Sequence, residues 1–169
     1  MISYRQNEIL ITEGLQDFLE KKGFNCPVIM SNLVKPAPKY PYLSYTVTSP
    51  VISDAKGYSI AEDGTRFKPM VQVWSFTAQS SDDVETFNVA MNAYNYFALS
   101  GTVYLNDNRI VVQRVGNITN RDNLLTIEYE YRRGFDVEFL LMHEVNENES
   151  EWEGAGVIET AVISHTVEI

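Results

Sequence analysis

Read for the alternation of its apolar and polar positions, the chain divides into helix, strands, helix and strands. Near the N-terminus Asn7 is a candidate cap, and Ile11, Leu15, Phe18 and Leu19 share one helical face before Gly23 stops the run. That spacing predicts an amphipathic helix of about four turns. Pro27 to Met30 is a short apolar strand. The following Lys35-Pro36-Ala37-Pro38-Lys39-Tyr40-Pro41-Tyr42 carries too much proline for a helix or a central strand and reads as an extended surface loop. Leu43 to Val47 resumes strand character, and Ser53 to Arg66 reads as a long loop around Gly57 and Gly64. Met70 to Phe76, apolar at both alternating sets of positions, predicts a strand buried on both faces.

Ser81 or Asp82 can cap the clearest helix, with Asp82, Asp83 and Glu85 in the first turn, where the helix dipole favours acids. Val84, Phe87, Met91, Tyr94 and Ala98 recur at steps of three and four, joined by Ala90 and Phe97, which predicts a stripe facing a sheet. Such a stripe is core far more often than a ligand box. Gly101 ends the helix. Val103 to Leu105, the turn Asn106-Asp107-Asn108 and Arg109 to Val115 then read as a hairpin. A second turn at Asn117 to Asn123 leads into the longest strand, Leu124 to Met142, which Arg132-Arg133-Gly134 interrupts with a glycine suggesting a bulge or bend.

Composition narrows what such a chain can be. Its 169 residues, 44% hydrophobic, suffice for one core without disulfide or metal, and the single Cys26 excludes an internal disulfide, which fits assembly in a cytoplasm. Met1 to Glu8 has no apolar run like a signal peptide, and no stretch of about 18 apolar residues occurs, so no membrane contact is expected. The net charge of −10 argues against affinity gained by neutralising phosphates. The charge is also uneven, since Glu144 to Ile169 hold seven acids and no Lys or Arg. Three segments are expected: an α/β domain over 1–143, an acidic linker over 144–156 closed by Gly154-Ala155-Gly156, and a β-branched segment over 157–169 with Val157, Ala161, Ile163 and Val167. That last segment reads either as an edge strand or loose end of its own subunit, or as an arm exchanged between subunits.

Candidate chemistry is sparse. There is no phosphate loop, zinc spacing, cysteine pair or nucleophile elbow, so neither a cofactor nor a metal is expected and the chain does not read as an enzyme. His143 and His165 lack a second ligand at helical spacing. Cys26 before Pro27 reads as a small buried side chain, Asn117-Ile118-Thr119 as a turn, and Glu128, Glu130 and Glu138 as one solvent-facing row. Arg132, Arg133 and Asp136 interrupt an apolar strand, where charges are normally paired. They can form a structural pair, Arg133 to Asp136 across the bulge or either of these two to a neighbouring strand, or they can contact a neighbouring subunit.

The order of several short motifs is informative beyond this. Val112-Gln113-Arg114-Val115-Gly116-Asn117-Ile118-Thr119-Asn120-Arg121, followed by Tyr129-Glu130-Tyr131-Arg132-Arg133-Gly134-Phe135-Asp136-Val137, resembles phage neck or tail terminator proteins of the head-to-tail joining group. The loop Pro36 to Tyr42 and the passage from Gln72-Val73-Trp74-Ser75-Phe76 to Phe97 are also similar, so that the resemblance spans about residues 5 to 142 and leaves the acidic linker and Val157 to Ile169 unmatched.

The resemblance implies an α/β (α+β) fold, with a mixed or mainly antiparallel sheet packed against two helices, in agreement with the element order. It implies a homo-oligomeric ring, commonly a hexamer, on the last ring of the tail tube of a phage or prophage. Such a virion protein, assembled in the bacterial host cytoplasm, stops tube polymerisation and meets a head connector or head-completion protein. DNA passes through without specific binding, to which an acidic protein is suited. Arg121, Arg132, Arg133, Asp136, Val157, Ile163 and Val167 are the candidate subunit or partner contacts. The alternatives are a head-completion or other neck protein, or a ligand-binding or hydrolytic α/β domain using an aromatic pocket around Tyr40, Tyr42, Tyr45 and Trp74.

Overall fold

The computed structural model describes residues 4–32, 36–52, 57–124 and 129–145. Helix α1 (Tyr4–Lys21) presents the fully buried Ile11, Leu15 and Leu19 to the core and stops at Gly23, whose φ of 89° suits glycine. Asn7 is not its cap, because the helix begins earlier and Asn7 lies buried within it. After the short β1 (Val28–Met30) come β2 (Tyr42–Ile52), β3 (Ser59–Ile60) and the long β4 (Arg66–Ser80). Helix α2 (Asp83–Asn95) is capped by Asp82, whose carboxylate accepts from the Glu85 backbone N–H at 2.7 Å. A π-helical turn, Tyr96–Ser100, joins it to α3 (Thr102–Asp107). The chain closes through β5 (Ile110–Val115), β6 (Thr119–Asn120), β7 (Asn123–Leu124) and β8 (Tyr129–Val145).

The strands form a sheet of order β1-β2-β4-β8-β5, parallel between β1 and β2 and antiparallel between the other neighbours. The fold is therefore α+β with a mixed, mostly antiparallel sheet. Strands β4 and β8 run side by side from Arg66 opposite Val145 to Ser80 opposite Tyr131 without a break in register. Because strand side chains alternate between faces, Trp74, Phe76 and Ala78 join Phe135, Val137, Phe139 and Leu141 on one side, all buried beneath the helices. Phe76 lies 4.8 Å from Phe97 between ring centres, and Trp74 lies 5.3 Å from Tyr45. The opposite face carries Ser75, Thr77 and Gln79 of β4 with Arg132, Asp136 and Glu138 of β8. Strand β4 is thus buried on its aromatic face and only half-covered on the other, with Val71, Val73, Ser75 and Thr77 of intermediate exposure.

Several expectations are corrected here. Helix α2 buries Thr86, Val89, Ala90 and Ala93 and turns Val84, Phe87 and Met91 outward at 67%, 47% and 37% exposure. The sheet beneath it is paved with phenylalanines, so the helix approaches with small side chains. Residues 102–107 are a helix and not the first arm of a hairpin, with Leu105 buried and Arg109 at φ 62° turning the chain into β5. Residues 117–123 are not a turn, since β6 and β7 continue along β8 after β5, pairing Thr119 with Gly134 and Leu124 with Tyr129. Gly134 marks no bulge, being in unbroken register with Thr77. The irregularities fall instead on β2, between Val47 and Ile52, and between Val112 and Arg114 where β5 meets β8. Strand β8 carries Glu144 and Val145, two residues past the expected start of the linker, and 146–169 lie outside the described residues.

Candidate subunit and partner interface

The face of the sheet opposite the helices is organised by Arg121, in the segment between β6 and β7. The backbone there is held to β8 by Gly116 N–H to Asp136 O at 2.7 Å and Arg121 N–H to Arg132 O at 2.9 Å. From that anchor the Arg121 side chain lies flat across the strands. Its Nη1 donates to Ser75 Oγ at 2.7 Å and Thr77 Oγ1 at 3.0 Å, and its Nη2 meets Asp136 Oδ1 at 3.1 Å. Gly134 is the floor beneath it, for a Cβ there would stand 2.6 Å from Arg121 Nη1 and 2.7 Å from its Cδ and Cζ. Partial burial opposes ionisation of Asp136, but hydrogen bonds from Ser75 and Arg121 and the arginine's charge outweigh it and hold the carboxyl below its usual value.

Arg133 points the other way, pairing with Asp122 and with Asp83 at the start of α2. Asp122 also accepts from the Arg132 backbone N–H at 2.8 Å and from Tyr129 Oη at 3.0 Å. Burial pulls against ionisation here too, yet the donated hydrogen bonds hold Asp122 below the ordinary carboxylate range. The expected pair of Arg133 with Asp136 does not form, because adjacent parity puts the two on opposite faces and each finds a nearer partner. Arg132 instead meets Glu130, which is buried at 3% exposure and accepts from Tyr40 Oη at 2.7 Å. The expected solvent-facing row of glutamates therefore fails at Glu130; Glu138 does lie near Arg114, at 3.6 Å, and Glu128 lies outside the described residues. Burial, followed by the Glu130 contact, pushes the Tyr40 hydroxyl up to about 12.

The four candidate charges are thus on neighbouring positions of β8 and its partner segment, and each is satisfied within the subunit. Their geometry makes a clamp that fastens 116–124 and the start of α2 to the sheet. Val157, Ile163 and Val167 lie outside the described residues. Two grooves border Arg121's face: one of about 440 Å³ under the proline loop, lined by Met30, Pro36, Pro38, Tyr42, Gln79 and Arg132, and one of about 390 Å³ beside Arg114, Asn117 and Glu138. An aromatic pocket is not built. Tyr40 and Tyr42 stack at 5.7 Å near Arg132, whereas Tyr45 and Trp74 stack in the core on the other side of the sheet. Cys26 is buried, and burial with the nearby Glu85 pushes its thiol up to about 12. Among the described residues no group of three His, Cys, Asp or Glu could hold a metal ion, and no helix is long and apolar enough to cross a membrane.

The sequence reading found the stripe Val84, Phe87 and Met91 but turned it toward the sheet, and it missed the exposed Leu99 and Val103. The signal for the true direction was a second row on α2, the buried Thr86, Val89, Ala90 and Ala93. Apolar side chains grouped on a surface mark contact sites.

The family model for phage neck terminator proteins matches residues 10–168. The chain belongs to this family. Among curated proteins none matches the chain. This neck terminator family member is a phage neck or tail structural protein, and the ordered motifs on β5 to β8 that resembled the group lie within the match. The match also takes in the acidic stretch and residues 157–168, which the resemblance had left unassigned. That part of the chain is therefore within the family pattern and is not an appendage to it.

Proposed function

We propose that the protein forms a homo-oligomeric ring, a hexamer, at the head-proximal end of the tail, where it stops tube polymerisation and joins the tail to the head connector. The observation that carries this reading is the neck terminator match over 10–168. The geometry supports it in two ways. A ring at a junction must offer different surfaces to the tube and to the head. Here one side of the sheet is covered by helices with outward Val84, Phe87 and Met91, while the other is polar and crossed by Arg121. The charges in the clamp are matched internally, which leaves association to shape, apolar contacts, backbone edges and the charges outside the clamp.

The role is one of assembly and not of catalysis. Tube protein and connector are its partners, DNA passes through without specific binding, and the copies assemble in the host cytoplasm before they enter the virion. An acidic chain of net charge −10 favours free passage, since like charge disfavours adhesion to phosphates. Electron microscopy of virions carrying a labelled copy tests the position. Label between tube and connector is expected; label inside the head portal or at the tail tip would overturn the reading, the former in favour of a head-completion protein.

A further inference from the structure

We propose that residues 157–169 of a neighbouring copy dock along the open edge of β5. The inference rests on the ring reading and names the parts of two copies that meet. Strand β5 is the last in the sheet order, and no other described strand lies on its outer side. An edge of 6 residues offers a row of unpaired backbone donors and acceptors, and proteins normally cover or pair such an edge. Proline, the usual edge blocker, is absent from β5, and Val111 is exposed on it.

Charge selects the occupant. From Asn108 to Arg121 the chain has three arginines and no acid. Arg121 is turned onto the sheet, which leaves the exposed Arg109 before β5 and Arg114 near its far end, the latter 73% exposed and only 3.6 Å from Glu138 in a solvated pair that a second acid can share. The segment from Glu144 onward has the opposite character, with seven acids and no Lys or Arg. Within it, Val157, Ala161, Ile163 and Val167 among Thr160, Ser164 and Thr166 have the composition of a strand, with Glu159 and Glu168 near the ends.

The linker is longer than a return to the chain's own edge requires, and long enough to reach a neighbour's. Strand β8 ends at Val145, and Leu141 pairs with Ile110, so the chain leaves the described body only about 13 Å along the strand from its own β5. A return would need a handful of residues. Residues 146–156 can span up to about 36 Å, and Glu147, Glu149, Glu151 and Glu153 repel one another, which favours reach.

The test uses two full-length forms with different tags, one carrying Gln113→Cys and the other Ile163→Cys, produced together and treated with a bismaleimide after assembled particles are isolated. Cys26 is buried and does not compete. A conjugate bearing both tags is expected, and the doubly substituted chain should yield a ladder of linked copies. Assembled rings in which the doubly substituted chain closes only on itself, or in which no conjugate forms, would overturn the exchange and leave the ring reading intact. Copies that never assemble would overturn the ring reading and the exchange together.

Discussion

Gly134→Ala separates two explanations for a glycine in the middle of the longest strand. Its backbone is in regular register, so alanine meets no conformational obstacle there and should favour the strand by about 0.5 kcal/mol through reduced backbone entropy. The obstacle is Arg121, whose guanidinium occupies the space a Cβ would need, at 2.6 Å. Lifting that side chain gives up two hydrogen bonds and one ion pair. The arginine side chain is 31% exposed, so water recovers part of the loss, and about 0.5–0.8 kcal/mol for each contact is reasonable, near 2 kcal/mol together. Set against the alanine gain, the net cost is about 1–1.5 kcal/mol, or a fall in melting temperature of roughly 2–5 °C for a domain this size. In an Arg121→Ala background the same change should stabilise slightly, giving a coupling of about 2 kcal/mol in a double-mutant cycle read by urea unfolding. An equal cost in both backgrounds would refute the reasoning and return Gly134 to a backbone role.

Phe87→Ala should alter stability by no more than about 0.5 kcal/mol, whereas Phe97→Ala in the following turn should cost about 3–5 kcal/mol; a cost of that size at Phe87 would mean that α2 is turned the other way. Gly14→Ala should cost about 1–2 kcal/mol net, since the new methyl would stand 2.5 Å from Tyr96 Oη and 2.7 Å from the Tyr104 ring and this crowding outweighs the roughly 1 kcal/mol that alanine gains inside a helix; an unchanged or raised denaturation midpoint would contradict this packing. Asp122 and Asp136 have folded values below the unfolded carboxylate value of about 3.9, so their stabilisation is complete above that pH and is lost as pH falls through the folded values. Urea midpoints from pH 5 to pH 2 should therefore fall more steeply in the wild type than in Asp122→Asn, and parallel curves would count against the clamp.

What was legible in the sequence was local. The apolar face of α1, the Asp82 cap and the proline loop each follow from a few neighbouring residues; the first two appear in the structure apart from Asn7, and the loop appears over Pro36 to Pro41, with Tyr42 already in β2 and Lys35 outside the described residues. The face of α2 was not legible because two apolar rows share one period, and the choice between them was made by the phenylalanines of β4 and β8. Residues 102–107 have strand-favouring Val103 and Tyr104, yet burial of Leu105 against the core holds them in a helix. At the candidate interface, position along the chain identified Arg121, Arg132, Arg133 and Asp136 as special but not their partners. Arg133 reaches Asp83 across 50 residues, and the reason for Gly134 lies in Arg121.

The central claim is that this protein ends the growth of a tail tube, and the length distribution of tails made without it tests that claim most directly. Electron micrographs of a lysate from a phage lacking the gene should show tubes of unregulated length, longer than normal and unattached to heads, with length and attachment restored by the gene in trans. Tails of normal length joined to heads would contradict the account.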